Sequence, residues 1–340
     1  MTETAGFAIP TPYLVFLGAA HDQLAGKTGV GVAQWRREAC VGQMRLPGCR
    51  ADAGLPDLSL EDAAARGAKT FLIGTTTRGG RIDRDWIPLL LRALELGMDI
   101  ASGLHDRVAD IPEVAEAARR LGRSIHDVRH PRGSFPVGTG EKRSGKRVLT
   151  IGTDCSIGKM FTALALHRAM IEAGMKATFR ATGQTGILIA GSGIPLDAVV
   201  ADFISGAVEV LCPANDPDHW DVIEGQASVL HPSYAGVTVG LVMGAQPDAM
   251  VLVHDPTRRT MRGLGSRPVP GIAETMEAHL ATARVTNPNA RIIGISLNTQ
   301  HMAEKDALAE IARTAERFAL PTIDPARTGC APLIEALRAI

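Results

Sequence analysis

The sequence predicts an α/β protein built from parallel sheets that are covered by helices. Short apolar runs that end in glycine alternate with helical patterns along most of the chain, and this alternation is typical of parallel sheets. The chain has 340 residues, which exceeds one ordinary hydrophobic core, so we expect two domains. Residues 136–146 are rich in glycine and charge and lack periodicity, and we predict that they link a domain of residues 1–135 to a domain of residues 147–340.

In the first half, apolar runs predict strands and amphipathic runs predict helices. Strands are expected at 13–18, after 68, at 98–105 and at 124–129, and helices at 85–97 and 111–122. The glycine-containing segments 21–43 and 75–83 are interpreted as loops that follow strands. Lys27, Arg36 and Arg78 in these loops could bind an anion, although neither loop contains a complete phosphate-binding motif.

The second half restarts the same alternation. Strands are expected at 147–152, 176–183, 221–226, 249–255, 290–298 and 321–325. Helices are expected at 158–174, 197–212, 233–245, 303–320 and 331–340.

The charge balance argues against several classes of partner. Lys+Arg and Asp+Glu both number 36, which gives a formal net charge of zero. No broad basic field exists to hold nucleic acid or an anionic membrane, so we expect a small-molecule partner and local anion recognition. No apolar run is long enough to span a bilayer, and the start of the chain lacks the basic region of a signal peptide.

Cysteine usage indicates the compartment. The five cysteines are an odd number and have no C-x-x-C spacing, so disulfides and a structural metal are both unexpected. We therefore predict a cytoplasmic protein without a bound metal. We also expect a homo-oligomer, since soluble two-domain proteins of this size often pair.

The strongest motif is GTDCSIGKM, which matches G-x-x-x-x-G-K between a predicted strand and a predicted helix. Its glycines let backbone N–H groups surround an anion, and the following helix adds its positive N-terminal end. The residues predicted to bind phosphate are Gly152, Thr153, Asp154, Cys155, Ser156, Ile157, Gly158, Lys159 and Met160. Met160 stands where a Ser or Thr hydroxyl would hold Mg²⁺, which favours a diphosphate held without tight metal dependence.

Polar residues also gather at the ends of other predicted strands, where ligands bind in open α/β sheets. Glu224 and His231 could remove a proton from an amine, unless they only cap a helix and pack at the surface. We predict that both are catalytic, together with Lys159 as a donor to an oxyanion. Cys155 could act as a nucleophile, but we interpret it as a residue that fills the loop.

The remaining polar residues of these strand ends are predicted to bind ligands. Asn298 follows a strand and carries an amide that can recognise a purine edge. An arginine such as Arg258 is suited to planar carboxylates through two parallel hydrogen bonds. The residues predicted to bind substrate are Arg180, Thr182, Gln184, Gln226, Ser228 and Arg258.

Several motifs in this order, "GTDCSIGKM", "ATGQTG", "EGQ.S..HPSY" and "SLN", resemble those of the D-glutamate N-acetyltransferase family, long described as a domain of unknown function. "YLVFLG", "KTG.G...WR.E.CVGQ.RLPG" and "ASGLH" extend the resemblance over nearly the whole chain. It implies a Rossmann-like N-terminal domain and a P-loop NTPase-like C-terminal domain. It also implies acetyl transfer from acetyl-CoA to the amine of D-glutamate, and Met160 as a family feature.

Under this interpretation the loop 152–159 holds the CoA diphosphate and Asn298 recognises the adenine. The loop also resembles that of dethiobiotin synthetase, which leaves a second hypothesis, an ATP- and Mg²⁺-dependent ligase or kinase with Asp154 or Glu224 as a metal ligand. Met160 argues against it. A third hypothesis is a nucleotide-binding regulator without turnover.

Overall fold

The computed structural model describes residues 7–23, 25–75, 81–131 and 133–340. These residues form two compact units, one from the described residues up to 131 together with 183–198, the other from 133–182 together with 199–340. Each unit contains a sheet whose strands are separated along the chain by helices, and the α/β fold class is confirmed. In the described part of the chain, no helix combines the length and the apolar character needed to cross a membrane.

The strands form two parallel sheets. They are β1 Tyr13–Gly18, β2 Cys40–Arg45, β3 Thr70–Ile73, β4 Asp99–Ser102, β5 Ile125–Asp127, β6 Lys146–Gly152, β7 Ala177–Arg180, β8 Trp220–Ile223, β9 Ala249–His254, β10 Arg291–Leu297 and β11 Thr322–Ile323. The first unit contains the order β2-β1-β3-β4-β5, and the second contains β11-β10-β9-β6-β8-β7. Every neighbouring pair is parallel, so within each sheet all strands end at the same edge.

Helices follow most of these strands. They are α1 Lys27–Trp35, α2 Leu60–Ala65, α3 Ile87–Glu95, α4 Pro112–Leu121, α5 Lys159–Glu172, α6 Gln184–Ala190, α7 Ile204–Leu211, α8 Ala235–Ala245, α9 Ile272–Ala283, α10 Glu304–Phe318 and α11 Ala331–Arg338. Each unit has its own apolar core under its helices, around Phe16 and Phe71 in the first and around Val148 and Val222 in the second. This separation agrees with the expectation that one core is too small for the chain.

The prediction of a loop over residues 21–43 is wrong, because this segment contains α1 and the start of β2. Its glycines serve a close approach of helix to sheet. A Cβ on Gly29 would lie 2.7 Å from side-chain atoms of both Val15 and Leu17 and 3.1 Å from the Cα of Gly74. A larger residue would have to displace both buried side chains and would press against the Gly74 backbone, so the glycine that suggested a loop is a packing requirement of α1.

A second difference concerns the glycine-rich segment after β7. The sequence predicted neither a helix nor a strand for residues 184–196, but residues 184–190 form α6 and belong to the compact unit of the first sheet. Helix α9, at residues 272–283, was also not predicted. Of the predicted loop 75–83, residues 76–80 lie outside the described residues, and Arg78 is one of them. The boundaries of the two domains stay a prediction.

The predicted linker is fixed to the second unit by hydrogen bonds. The Thr139 N–H and hydroxyl donate to the Glu209 carboxylate, and Arg143 donates to the carbonyls of Cys212 and Gly244. The composition of the linker correctly predicted an irregular backbone. The linker is held in place by side-chain contacts, which composition does not specify.

Candidate phosphate-loop site

The loops after β6, β8, β9 and β10 lie at one edge of the second sheet, because these parallel strands all end there. The loop after β6 is the predicted phosphate loop, residues 152–158, and α5 begins directly after it at Lys159. The structure therefore places the motif between a strand and a helix, as predicted.

The phosphate loop has the backbone shape of an anion-binding site. Ser156 has a φ of 51° and Gly158 a φ of 110°, both in the left-handed region. Such turns direct successive N–H groups toward one point, and the N-terminal end of α5 adds positive potential. A Cβ on Gly152 would lie 2.8 Å from Ile157 Cδ1 and 3.2 Å from the Val253 carbonyl oxygen, so the loop folds closely over the end of β6.

Lys159 is buried beneath this loop. Its ammonium donates to the Asp154 carbonyl oxygen at 2.6 Å, and only 5% of the residue is exposed. Burial lowers the pKa of Lys159 from 10.5 to about 8, because the charged form loses water. An anion bound in the loop would restore part of the lost stabilisation of the charge, so the lysine is poised to bind one.

The Asp154 side chain holds the loop in place and is fully buried. Its Oδ1 accepts from the Cys155 N–H at 2.7 Å, and its Oδ2 accepts from the Arg262 N–H at 2.9 Å and from Arg258 Nη1 at 3.1 Å. Arg258 also donates to the carbonyls of Cys155 and Ser156. We predicted that Arg258 binds substrate, but its guanidinium contacts the loop itself, and Arg262 was not predicted at all.

His231 is also buried against Asp154. The Ser233 N–H donates to Nδ1 of His231 at 3.2 Å, which assigns the hydrogen of the neutral imidazole to Nε2. Nε2 lies 3.6 Å from Asp154 Oδ1 and has no hydrogen-bond partner within 3.5 Å. The ring is tilted against Tyr234, with the ring centres 4.7 Å apart. In this tautomer both nitrogens are directed at protein groups, which favours a positioning role for the imidazole.

Within the described residues, Asp154, Cys155 and His231 are the one group with spacing suited to a metal ion, since their candidate atoms lie within 4.8 Å of one another. Their contacts weigh against it. Both Asp154 oxygens already accept hydrogen bonds, and His231 Nε2 carries a hydrogen. Burial raises the pKa of the Cys155 thiol, which disfavours the thiolate that a metal or a nucleophilic mechanism would use. The absence of a metal stays a prediction.

Glu224 follows β8 and is connected to the end of β7. Its Oε2 accepts from the Thr182 N–H at 2.9 Å, and its carbonyl oxygen accepts from the Thr182 hydroxyl at 2.8 Å. Gln226 donates to the same hydroxyl at 2.9 Å. The structure therefore brings together three of the predicted residues, and Ser228 lies buried two residues further on, where its hydroxyl accepts from the Leu230 N–H.

Gly225, between Glu224 and Gln226, is a requirement that only the structure reveals. A Cβ there would lie 1.7 Å from the Thr150 carbonyl oxygen and 3.1 Å from Lys159 Cδ. The Gly225 N–H also donates to the Thr150 hydroxyl at 3.0 Å. The absence of a side chain thus lets the end of β8 approach both β6 and the buried lysine stem.

Two predicted substrate-binding residues have other surroundings. Arg180 donates through Nε to the buried Asp221 carboxylate at 2.7 Å, and Asp221 pairs in register with Thr178, two residues before the end of β7. The Arg180 side chain therefore points away from the strand ends. Gln184 begins α6 in the first unit, where a Cβ on Gly103 would lie 3.4 Å from it.

Asn298 lies beside the phosphate loop, as its position after β10 predicted. A Cβ on Gly158 would lie 3.8 Å from the amide nitrogen of Asn298. The side-chain oxygen Oδ1 of Asn298 accepts a hydrogen bond from the Gln300 N–H at 3.3 Å. This bond orients the amide next to the last glycine of the loop.

The fold and this loop define a two-domain α/β protein with a C-terminal P-loop domain. The family described as a domain of unknown function, DUF1611, P-loop domain, matches residues 136–334, and its Rossmann-like N-terminal domain matches residues 44–131. The chain belongs to the DUF1611 family. Both the predicted Rossmann-like domain and the predicted P-loop domain are thereby confirmed.

Similar proteins cover nearly the whole chain. A protein from Tritonibacter scottomollicae is 52% identical over 98% of this chain and 100% of its own length. A protein from Pseudoalteromonas sp. is 45% identical over 97% of this chain and 99% of its own length. Both are named D-glutamate N-acetyltransferase, so the family resemblance stated from the motifs is confirmed. The crystal structure of a DUF1611 family protein from Anabaena variabilis is 32% identical, with a TM-score of 0.82 over 97% of this chain and 100% of that one.

Proposed function

We propose that this protein transfers the acetyl group of acetyl-CoA to the amino group of D-glutamate. The observation that carries the proposal is the similarity, over almost the full length of each chain, to two proteins named D-glutamate N-acetyltransferase. Acetyl-CoA is the acetyl donor in this proposal, and the compartment is the reducing cytoplasm, in keeping with five free thiols.

The phosphate loop would hold the CoA diphosphate. The left-handed turns at Ser156 and Gly158, the start of α5 and the Lys159 ammonium all favour an anion, and Met160 supplies no hard oxygen for Mg²⁺. Asn298, beside Gly158, is then in reach of the adenine. Because the CoA diphosphate is bound but not cleaved in acetyl transfer, no metal is needed to activate a phosphoryl group.

The chemical step is attack of the free amine on the thioester carbonyl. The substrate ammonium first loses a proton to a base, the amine nitrogen forms a bond to the carbonyl carbon, and the C–S bond breaks. CoA leaves as a thiolate that takes up a proton. Donors near the carbonyl oxygen would stabilise the tetrahedral oxyanion.

The size of acetyl-CoA constrains where that base can be. The pantetheine arm separates the thioester from the diphosphate by on the order of 15 Å, the span of about four to five extended residues. Glu224 and His231 lie around the loop, close to Lys159 and Asp154. A diphosphate in the loop would keep an extended thioester far from both residues, so their catalytic role stays a prediction and a positioning role is the better match to their contacts.

The test is a turnover assay with purified protein. Acetyl-CoA is combined with D-glutamate, L-glutamate or buffer, and ATP with Mg²⁺ replaces acetyl-CoA in a parallel set. Free CoA thiol is followed with a chromogenic disulfide, corrected for the cysteines of the protein, and N-acetylglutamate is identified by mass spectrometry. We expect thiol release that depends on D-glutamate. Release of ADP from ATP without an acetylated product would instead support the ligase or kinase hypothesis.

A further inference from the structure

A groove of about 750 Å³ opens in the second unit beside the phosphate loop. One wall comes from the loop after β8, and the other from the segment between β9 and α9. The apolar residues of its lining include Leu230, Pro232, Met261, Leu264, Val269 and Pro270. Arg267 and Glu274 are the charged groups of its lining.

The second wall is a hairpin-like turn with its own hydrogen bonds. The Met261 N–H donates to the Arg267 carbonyl at 2.9 Å, and the Val269 N–H donates to the Arg259 carbonyl at 3.1 Å. Thr260 and Pro268 form an antiparallel bridge across it. Prolines fix the backbone φ in this segment, so its conformation is restricted.

Both walls lie next to the same carboxylate of the phosphate loop, that of Asp154. The Arg262 N–H donates to Asp154 Oδ2, one residue after Met261 of the lining. His231, between the lining residues Leu230 and Pro232, lies 3.6 Å from Asp154 Oδ1. The groove therefore lies next to the phosphate loop, and a hydrogen bond from Arg262 to Asp154 connects one of its walls to the loop.

We propose that this groove receives the pantetheine arm of acetyl-CoA and presents the thioester to the acceptor amine. This inference rests on the proposed function, in which the loop holds the CoA diphosphate. The arm is an uncharged chain with apolar segments and two amides, which matches an apolar lining with a few polar groups. A volume of about 750 Å³ lies within the range of small-molecule sites and leaves room for an amino acid beside the arm.

The charged lining matches the acceptor. D-Glutamate carries carboxylates and an ammonium, and the groove offers the Arg267 guanidinium and the Glu274 carboxylate. Arg267 suits a substrate carboxylate, and Glu274 can take the proton of the ammonium before attack on the thioester. Acetyl transfer then takes place in the groove. The length of the pantetheine arm sets the distance between the reacting thioester and the phosphate loop.

Binding of two ligands tests the proposal without turnover. The ligands are CoA and 3′-phosphoadenosine 5′-diphosphate (3′-phospho-ADP). The second ligand has the diphosphate of CoA and lacks the pantetheine arm. Val269→Trp fills the groove, Val285→Trp is the matched control on an exposed surface, and Lys159→Met removes the cation of the loop. Affinities are measured by calorimetry, and circular dichroism checks the fold of each variant.

We expect Val269→Trp to weaken CoA binding by about tenfold or more while 3′-phospho-ADP binding changes by less than about twofold. Lys159→Met should weaken both ligands, and Val285→Trp should weaken neither. Equal CoA affinity for Val269→Trp and the native protein would overturn the groove assignment while leaving acetyl transfer intact. Loss of both ligands in a folded Val269→Trp would also overturn it, because the groove would then belong to the nucleotide. If the native protein neither binds CoA nor releases it during turnover, the proposed function itself fails.

Discussion

The buried lysine of the phosphate loop gives a quantitative prediction. Lys159 has a pKa of about 8 instead of 10.5, because burial removes water from its ammonium. At neutral pH, burial of the charged group therefore lowers the free energy of unfolding by about 3 kcal/mol. Lys159→Met keeps an unbranched side chain and removes the charge, but it also removes the hydrogen bond from the charged ammonium to the Asp154 carbonyl, which contributes about 1.5 kcal/mol. We therefore expect the variant to be more stable than the native protein by about 1.5 kcal/mol at pH 7.

The sign of the pH dependence follows from proton binding. Between pH 8 and 10.5 the unfolded chain holds a proton on Lys159 that the folded protein has released, so the stability of the native protein rises with pH in this window. The penalty is fully present below pH 8 and disappears above 10.5. By pH 9.5 the native protein should have gained about 2 kcal/mol relative to Lys159→Met, which makes the two nearly equal.

Urea unfolding of both proteins between pH 7 and pH 10, with a reductant present, measures this difference. Lys305→Met on the exposed surface of α10 is the control, and its stability relative to the native protein should not change over the same range. Groups that titrate equally in both proteins cancel in the comparison. A stability difference for Lys159→Met that is constant with pH, or a variant that is destabilised throughout, would refute the assignment of a buried, perturbed lysine.

Two further predictions concern the end of β8 and the base. Gly225→Ala should lower the free energy of unfolding by about 3 kcal/mol or more, because its Cβ would collide with the Thr150 backbone. Gly236→Ala has open space around it in α8 and should raise the free energy of unfolding by up to about 1 kcal/mol. Thermal unfolding checks both variants, and equal stability of the two would contradict the packing argument. Glu274→Gln should reduce kcat by about a hundredfold or more, while Glu224→Gln and His231→Ala should mainly raise KM for acetyl-CoA and leave kcat within a few fold. If either of the latter variants loses kcat as strongly as Glu274→Gln, the base lies at the phosphate loop as the sequence suggested.

The fold class and the position of the phosphate loop could both be predicted from the amino-acid sequence alone. Both follow from local signals: alternation of apolar runs and helical patterns predicts parallel sheets, and glycine spacing between a strand and a helix predicts an anion site. Asn298 could also be placed near the loop, because strands of a parallel sheet end at a common edge. These inferences need only the neighbours of each residue along the chain.

The roles of individual side chains were decided by tertiary structure. Arg258 has the chemistry to bind a substrate carboxylate, yet it contacts Asp154 and two loop carbonyls, because a loop after β9 folds back on the loop after β6. Arg180 is the last residue of β7, at the edge where ligands were expected, yet its side chain turns back to Asp221. Glycines have two opposite uses, open turns and close packing, and only the distances around Gly29 and Gly225 distinguish them. The charge and type of a residue indicate which groups its side chain can bind. Contacts between residues that are distant in the chain decide whether that side chain binds a ligand or another part of the protein.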